Sequence, residues 1–289
     1  MELPPAIDAD EILLDLPGIG ELLCYHRAGE GRPVLLLHSM NAAPSAFEVE
    51  PCFSAMELGR PLYAPDLPGF GRSDRSDRPY TPEFYAESIT AIVDAIDAPE
   101  VDVLALSTSC EFAARAALSA DSRIKSLVFV SPTGLSRRRP EPSTAGPKAH
   151  RFFRKPGVGS SIYALLRSRA SIRFFLNMAF EDRAPAAMVD YAYATTRMPG
   201  ASYAPFYFLS GQMFAHDAVG DLYLPLEQPV LVLYDTDPNI SFDFLDDVLT
   251  ARPNWQARRI AGTRGLPHFD KARETQAAIT AFWDAKTGA

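Results

Sequence analysis

Short apolar runs alternate with helically spaced apolar positions through the first half of the chain. Glu11 to Leu16 and Glu21 to His26 predict two strands joined at Pro17-Gly18, a hairpin. Pro33 to His38 is a continuous apolar run, as expected of a strand covered on both faces. Arg60 to Pro65 is a weaker run of the same kind. A helix should start at Thr81-Pro82, a hydroxyl cap followed by proline at the first helical position. Its Ile89, Ile92, Val93 and Ile96 fall at i, i+3, i+4 and i+7, one helical face. Val101 to Leu106 predicts the next strand, Cys110 to Leu118 the next helix and Ile124 to Val130 a further strand. Such alternation gives a mainly parallel sheet with helices on both faces.

The rhythm breaks after Ser131-Pro132-Thr133-Gly134. From about Leu135 to Pro225 the pattern is helical and aromatic-rich, with no convincing strand. Phe152, Phe174, Phe175, Tyr191, Phe206 and Phe214 are among the rings there, most of them expected to pack within the segment and a few to face a pocket. The β/α rhythm resumes with Pro229 to Tyr234, a helix around Phe242 to Ala251, a strand near Gln256 to Ile260 and a last helix carrying Ala278, Ile279, Phe282 and Trp283. The expected organisation is a discontinuous core, 1–134 and 226–289, with 135–225 inserted as a helical lid.

Composition narrows the function. Of 289 residues, 47% are hydrophobic and 22% charged, ordinary for a globular chain with a large core. A formal charge of −8 argues against a nucleic-acid partner. One basic run, Arg137-Arg138-Arg139, could suggest an anionic lipid or phosphate, but a solvated loop is the plainer reading. Cys24, Cys52 and Cys110 form neither a disulfide framework nor a metal-ligand spacing, so a reducing cytoplasm is expected. No basic-then-apolar leader is read at the start, and no apolar run reaches spanning length, so no membrane partner is expected.

In open parallel sheets reactive groups gather at the carboxyl ends of the strands. Those ends carry His38-Ser39-Met40-Asn41, Asp66-Leu67-Pro68-Gly69-Phe70-Gly71, Ala105-Leu106-Ser107-Thr108-Ser109, Asp235-Thr236-Asp237 and Gly265-Leu266-Pro267-His268. In this order the blocks resemble the α/β hydrolases that bear a lid, among them esterases, carbon–carbon-bond hydrolases and haloperoxidases. The resemblance covers nearly the whole chain outside the lid. Its most specific match, Asp66 to Asp74, identifies the fold rather than the reaction.

The resemblance implies roles. Ser107 stands at the nucleophile elbow, where small neighbours are needed; here they are Ala105 and Ser109. Serine there fits acyl transfer, and disfavours the aspartate-based dehalogenases and epoxide hydrolases of this fold. The oxyanion hole would use the backbone N–H groups of Met40 and Thr108, with His38 and Ser39 close by; Ser39 replaces the usual glycine. Asp237 is the preferred triad acid and Asp235 its competitor. His268 alone of five histidines lies in the loop of the general base. A gap-free comparison with His-x-Pro-His-x-Glu, however, sets Gly265 at the catalytic position and His268 on the second, non-catalytic histidine. Either a rearranged loop lets His268 reach Ser107, or the triad lacks its base. Glu111, one turn past Ser107, is expected to pair with Arg115 at i+4, or else to disturb the nucleophile. Cys110 is expected to pack as a small hydrophobe.

Two functions are carried forward. One is a serine hydrolase acting on a small or medium ester, thioester or related carbonyl, with Ser107, His268 and Asp237 as its triad. The other is a degenerate hydrolase that binds a hydrophobic small molecule under its lid. A lyase using the oxyanion pocket is a weaker third. The expected partner is a small molecule with an apolar part, with room for a homo-oligomer; no metal and no cofactor are expected.

Overall fold

The computed structural model describes residues 3–56, 59–137, 146–155 and 157–287; Arg138 and Arg139 of the basic run lie outside them. Eight strands form one sheet: β1 (Asp10–Leu16), β2 (Gly20–Arg27), β3 (Val34–Leu37), β4 (Leu62–Pro65), β5 (Val101–Leu106), β6 (Ile124–Val130), β7 (Val230–Tyr234) and β8 (Trp255–Arg259). Their order is β1-β2-β4-β3-β5-β6-β7-β8. The β1–β2 hairpin and the β2–β4 pair are antiparallel, and every later pairing is parallel. This is the mainly parallel sheet that the strand rhythm predicted.

The continuous apolar runs have a plain cause. Leu35 and Leu37, Val103 and Ala105, Leu127 and Phe129 feed one hydrophobic core. The alternate residues Val34 and Leu36, Leu104 and Leu106, Val128 and Val130 feed the core on the other face. Both faces of each central strand are therefore buried, and the polar half of the strand pattern disappears.

The helices before the insertion are α1 (Glu50–Ala55), entered through a 3₁₀ turn at Ala46–Val49, then α2 (Pro82–Ala95) and α3 (Ser109–Ala117). Thr81 caps α2 by accepting from the Phe84 N–H at 3.2 Å, with Pro82 in the first turn. Between β6 and β7 lie α4 (Gly146–Phe153), α5 (Val158–Leu166), α6 (Arg169–Asn177), α7 (Ala186–Thr195), α8 (Tyr203–Leu209) and a π-helical turn, Val219–Tyr223. After β7 come α9 (Leu245–Ala251), α10 (Pro267–Asp270) and α11 (Ala272–Thr287).

The Asp66–Asp74 stretch is a folding device. One Asp66 carboxylate oxygen accepts from Ala46 N–H and the other from Arg72 N–H, both at 2.8 Å. Gly71, at φ 51°, leaves room for that carboxyl, because a Cβ there would overlap it. Ser73 Oγ donates to the Asp66 carbonyl and accepts from Leu23 N–H, locking the loop to β2.

Candidate active site

The site is built on neighbouring strand ends. Leu37 pairs with Ala105, Leu106 with Val130, and Val130 with Leu233. The loop after β3, the elbow after β5 and the loop after β7 thus open on one edge, with β7 two strands, roughly 10 Å, from β5. Ser107 is half-buried at φ 51°. That left-handed conformation is uncommon for a residue with a Cβ and marks a strained turn. Neighbouring bonds hold it: Ser107 N–H donates to the Val130 carbonyl at 2.9 Å, and its own carbonyl accepts from Cys110 N–H at 3.1 Å. Small residues at 105 and 109 fit the turn, and Ser109 Oγ donates to the His38 carbonyl, tying elbow to loop.

That loop is shaped by a residue the sequence reading missed. Glu48, buried in the 3₁₀ turn, accepts from Ser39 N–H at 2.8 Å and from Asn41 Nδ2 at 2.7 Å. A signal existed: Ser45-Ala-Phe-Glu48 has the spacing of a capping box, but the carboxylate turns to the loop instead of back to position 45. His38 is fully buried and tautomerically fixed. Its Nε2 accepts from Leu67 N–H at 2.9 Å, so Nδ1 donates to the Ser39 carbonyl at 2.7 Å. Burial lowers its pKa, and it stays neutral. Among the described residues no acceptor engages the N–H of Met40 or of Thr108, the two expected oxyanion donors.

Asp237, the expected acid, follows β7, and the expected base does not meet it. Asp237 accepts from Asn239 N–H at 2.8 Å and Ile240 N–H at 3.1 Å through one carboxylate oxygen; burial raises its pKa. The other oxygen faces Gly265: a Cβ at 265 would lie 2.7 Å from Oδ2. Asp235, the competitor, is engaged elsewhere, by Arg259 and by the N–H groups of Gly262 and Thr263.

His268 does not join them. Its Nε2 donates to the Glu48 carbonyl at 2.7 Å, and its buried Nδ1 has no partner. Burial holds its pKa down at about 4. The rearranged loop that would bring His268 to Ser107 is therefore not formed. Position 268 faces the 3₁₀ turn, and glycine, not histidine, stands beside Asp237. None of the five histidines hydrogen-bonds Ser107 among the described residues. His150 lies against Tyr207, His26 against Tyr63, and His216 is exposed.

Glu111 also departs from expectation. Arg115 pairs with Glu83 at 3.7 Å instead, because Glu111 turns inward. Its carboxyl accepts from Thr133 Oγ1 and from Ala215 N–H at 2.7 Å, and burial pushes its pKa up to about 7. It joins α3 to Thr133 and Ala215 rather than reaching Ser107. Cys110 packs as expected, fully buried, its Sγ on the Ala105 carbonyl at 3.2 Å. Ser131, a second unanticipated residue, stands at φ 45° beside the elbow with a buried, unpartnered Oγ. Tyr163, Thr195 and Ala201, from the segment between β6 and β7, meet Ala43, Pro44 and Arg75 around a narrow cleft.

A strained serine between β5 and α3 in an eight-stranded sheet of this order defines an α/β-hydrolase-fold protein. The chain belongs to the alpha/beta hydrolase fold family, whose model matches residues 32–269. It is 31% identical over 138 residues to the 2-hydroxymuconate semialdehyde hydrolase of Pseudomonas putida, 47% of each chain. It is 30% identical over 124 residues to the rat 1-acylglycerol-3-phosphate O-acyltransferase ABHD5, covering 42% of this chain and 35% of that one. The matched stretch spans about half the length of the semialdehyde hydrolases. Among solved structures, the carbazole-degradation serine hydrolase CarC superposes with a TM-score of 0.76 at 15% identity, over 96% of this chain and 99% of that one. A bromoperoxidase from Bacillus anthracis gives 0.76 at 17% identity, over 95% and 100%.

Proposed function

We propose that this α/β hydrolase keeps the carbonyl-binding half of a serine hydrolase at Ser107 and lacks the proton-transfer half. It holds a small molecule with a carbonyl and an apolar part beneath the inserted helices, which act as a lid. The observation that carries this is Gly265 facing Asp237, where a triad would place its imidazole. Acyl transfer needs a base to take the Ser107 hydroxyl proton and return it to the leaving group. Asp237 follows β7, two strands from β5, and accepts from no imidazole among the described residues, and His268 is committed to Glu48. The N–H groups of Met40 and Thr108 can still bind a carbonyl oxygen.

A second reading, a serine hydrolase for small or medium esters and thioesters, is favoured by one observation. Ser107 retains the strained φ of 51° that an active elbow uses. Intact-mass labelling with a fluorophosphonate separates the two. Wild type should label slowly or not at all, and Gly265→His should label rapidly and stop doing so when combined with Ser107→Ala. Stoichiometric labelling of wild type, abolished by His268→Ala, would establish the serine hydrolase and sink the first reading.

A further inference from the structure

We infer that the outer face of α4, α5 and α6 docks the protein onto an anionic phospholipid surface. Three independent features of that face converge. The first is charge. From Gly146 to Phe180 the sequence has seven Lys or Arg and no Asp or Glu, within a chain of formal charge −8. Arg154 pairs with Asp77 and Arg169 with Asp190. Lys148, Arg151, Lys155, Arg167 and Arg173 have no ion-pair partner among the described residues.

The second feature is apolar exposure. Rings expected to pack inside the insertion point outward: Phe152 is 47% exposed, Phe174 63% and Phe175 55%, with Leu165 at 71%. In α4 the exposed positions include Lys148, Arg151 and Phe152; in α6 they include Arg169, Arg173 and Phe174. Each helix therefore sets a large apolar group beside a cation, and Lys155 Nζ lies 5.6 Å from the Phe152 ring centre. The third is a cavity of about 230 Å³ where α4 meets α5, lined by Lys155, Ser160, Tyr203 and Phe206 among others. A phosphate-bearing headgroup matches its size and its mix of cation, hydroxyl and ring.

Aromatic side chains enter the boundary between headgroups and acyl chains while neighbouring cations meet the lipid phosphates. A second copy of this chain is a poor occupant, since apposed copies would bring like charges together. The protein has no helix long and apolar enough to cross a membrane among its described residues, so the contact is peripheral. It covers the lid and not the elbow, and stands apart from any chemistry at Ser107.

Cosedimentation of the full chain with phosphatidylcholine vesicles, with and without about 30 mol% phosphatidylglycerol at roughly 0.1 M salt, tests this. Wild type should bind only the anionic vesicles and leave them at high salt. The double variant Lys155→Glu/Arg173→Glu should bind at least about a hundredfold more weakly, at roughly fivefold for each unit of charge lost. Phe174→Ala/Phe175→Ala should weaken binding roughly tenfold or more at unchanged salt dependence. All four side chains are exposed, so melting temperatures should match wild type and a folding defect is separable. Equal binding to neutral and anionic vesicles, no binding to either, or variants that bind like wild type would overturn the proposal. So would a wild-type dimer that the same charge reversals dissociate, which would assign the face to a second copy.

Discussion

A methyl group at position 71 and one at position 265 would each meet an aspartate, with opposite consequences. At 71 the backbone is left-handed and the added Cβ would overlap the Asp66 carboxyl. Alanine there must adopt a φ that costs roughly 1–2 kcal/mol and push away the acceptor of Ala46 and Arg72 N–H. The buried Ala46 donor would be orphaned, at about 1–3 kcal/mol, and the half-buried Arg72 donor at less. Gly71→Ala should therefore lower the free energy of unfolding by about 3–5 kcal/mol, read as a drop in the urea midpoint; a change within about 0.5 kcal/mol would refute this account of the motif. At 265 the φ is not left-handed and the obstructing atom is the tip of the Asp237 side chain. A histidine can enter with a small rotation of that carboxyl, which is the movement that would let it accept from Nδ1–H. Glycine at 71 is required by the fold, whereas at 265 it leaves the space beside Asp237 without a side chain. The resemblance to a family pattern drew notice to position 265, but only the direction of the missing Cβ separates it from position 71.

At the scale of strands and helices, the sheet end opposite the site carries a buried ionic cluster that fixes β5 against its neighbours. Asp102 on β5 has no exposure and accepts from Arg60, just ahead of β4, and from Ser126 Oγ on β6 at 2.6 Å. Ser126 Oγ in turn accepts from Trp283 Nε1 of α11 at 3.0 Å. Removing the carboxylate alone leaves Arg60 charged, buried and unpaired. Asp102→Ala should cost about 3–5 kcal/mol in chemical denaturation, while Arg60→Met with Asp102→Leu should recover most of it. No gain from the double change would show that shape, not charge pairing, governs this position. The elements themselves were legible because both-face burial erases the polar alternation: β5 and β6 run as their apolar runs predicted. The turn and helix at Ala46–Ala55 were overlooked, although Val49, Cys52, Phe53 and Met56 keep helical spacing and are all buried. Pro51 sits in the first turn of α1, where a proline costs nothing. The strand-to-helix turn at Ser107 was legible because it is a local pattern. The Glu48–His268 bond joins residues 220 apart, which no spacing in the sequence could announce.

For the whole molecule, two buried groups outside the elbow oppose each other as pH changes. His268 titrates near 4 instead of its usual 6.5. Below pH 6.5 the unfolded chain takes up a proton the folded one refuses, so this contribution to stability is lost as pH falls from 6.5 through 4. Glu111 is raised from 4.5 to about 7. Above pH 4.5 the unfolded chain releases a proton the folded one keeps, so its contribution is present at low pH and lost as pH rises through 7. Each shift corresponds to about 3 kcal/mol, with opposite sign over nearly one window. The wild-type profile hides both, and single variants should uncover them. His268→Gln keeps a donor for the Glu48 carbonyl without titrating, so its stability relative to wild type should fall as pH rises from 4 to 6.5. Glu111→Gln should do the reverse, gaining on wild type from 4.5 to 7, because its amide can still serve Ala215 N–H and Thr133. Unfolding free energies measured by urea at half-unit intervals from pH 4 to 7.5 would give two difference curves of opposite slope. Two flat difference curves would show that neither group is held at the protonation state its burial dictates. A flat curve for Glu111→Gln alone would place a water or cation beside that carboxyl. The insertion would then be fastened to α3 by an ionised group rather than a neutral one.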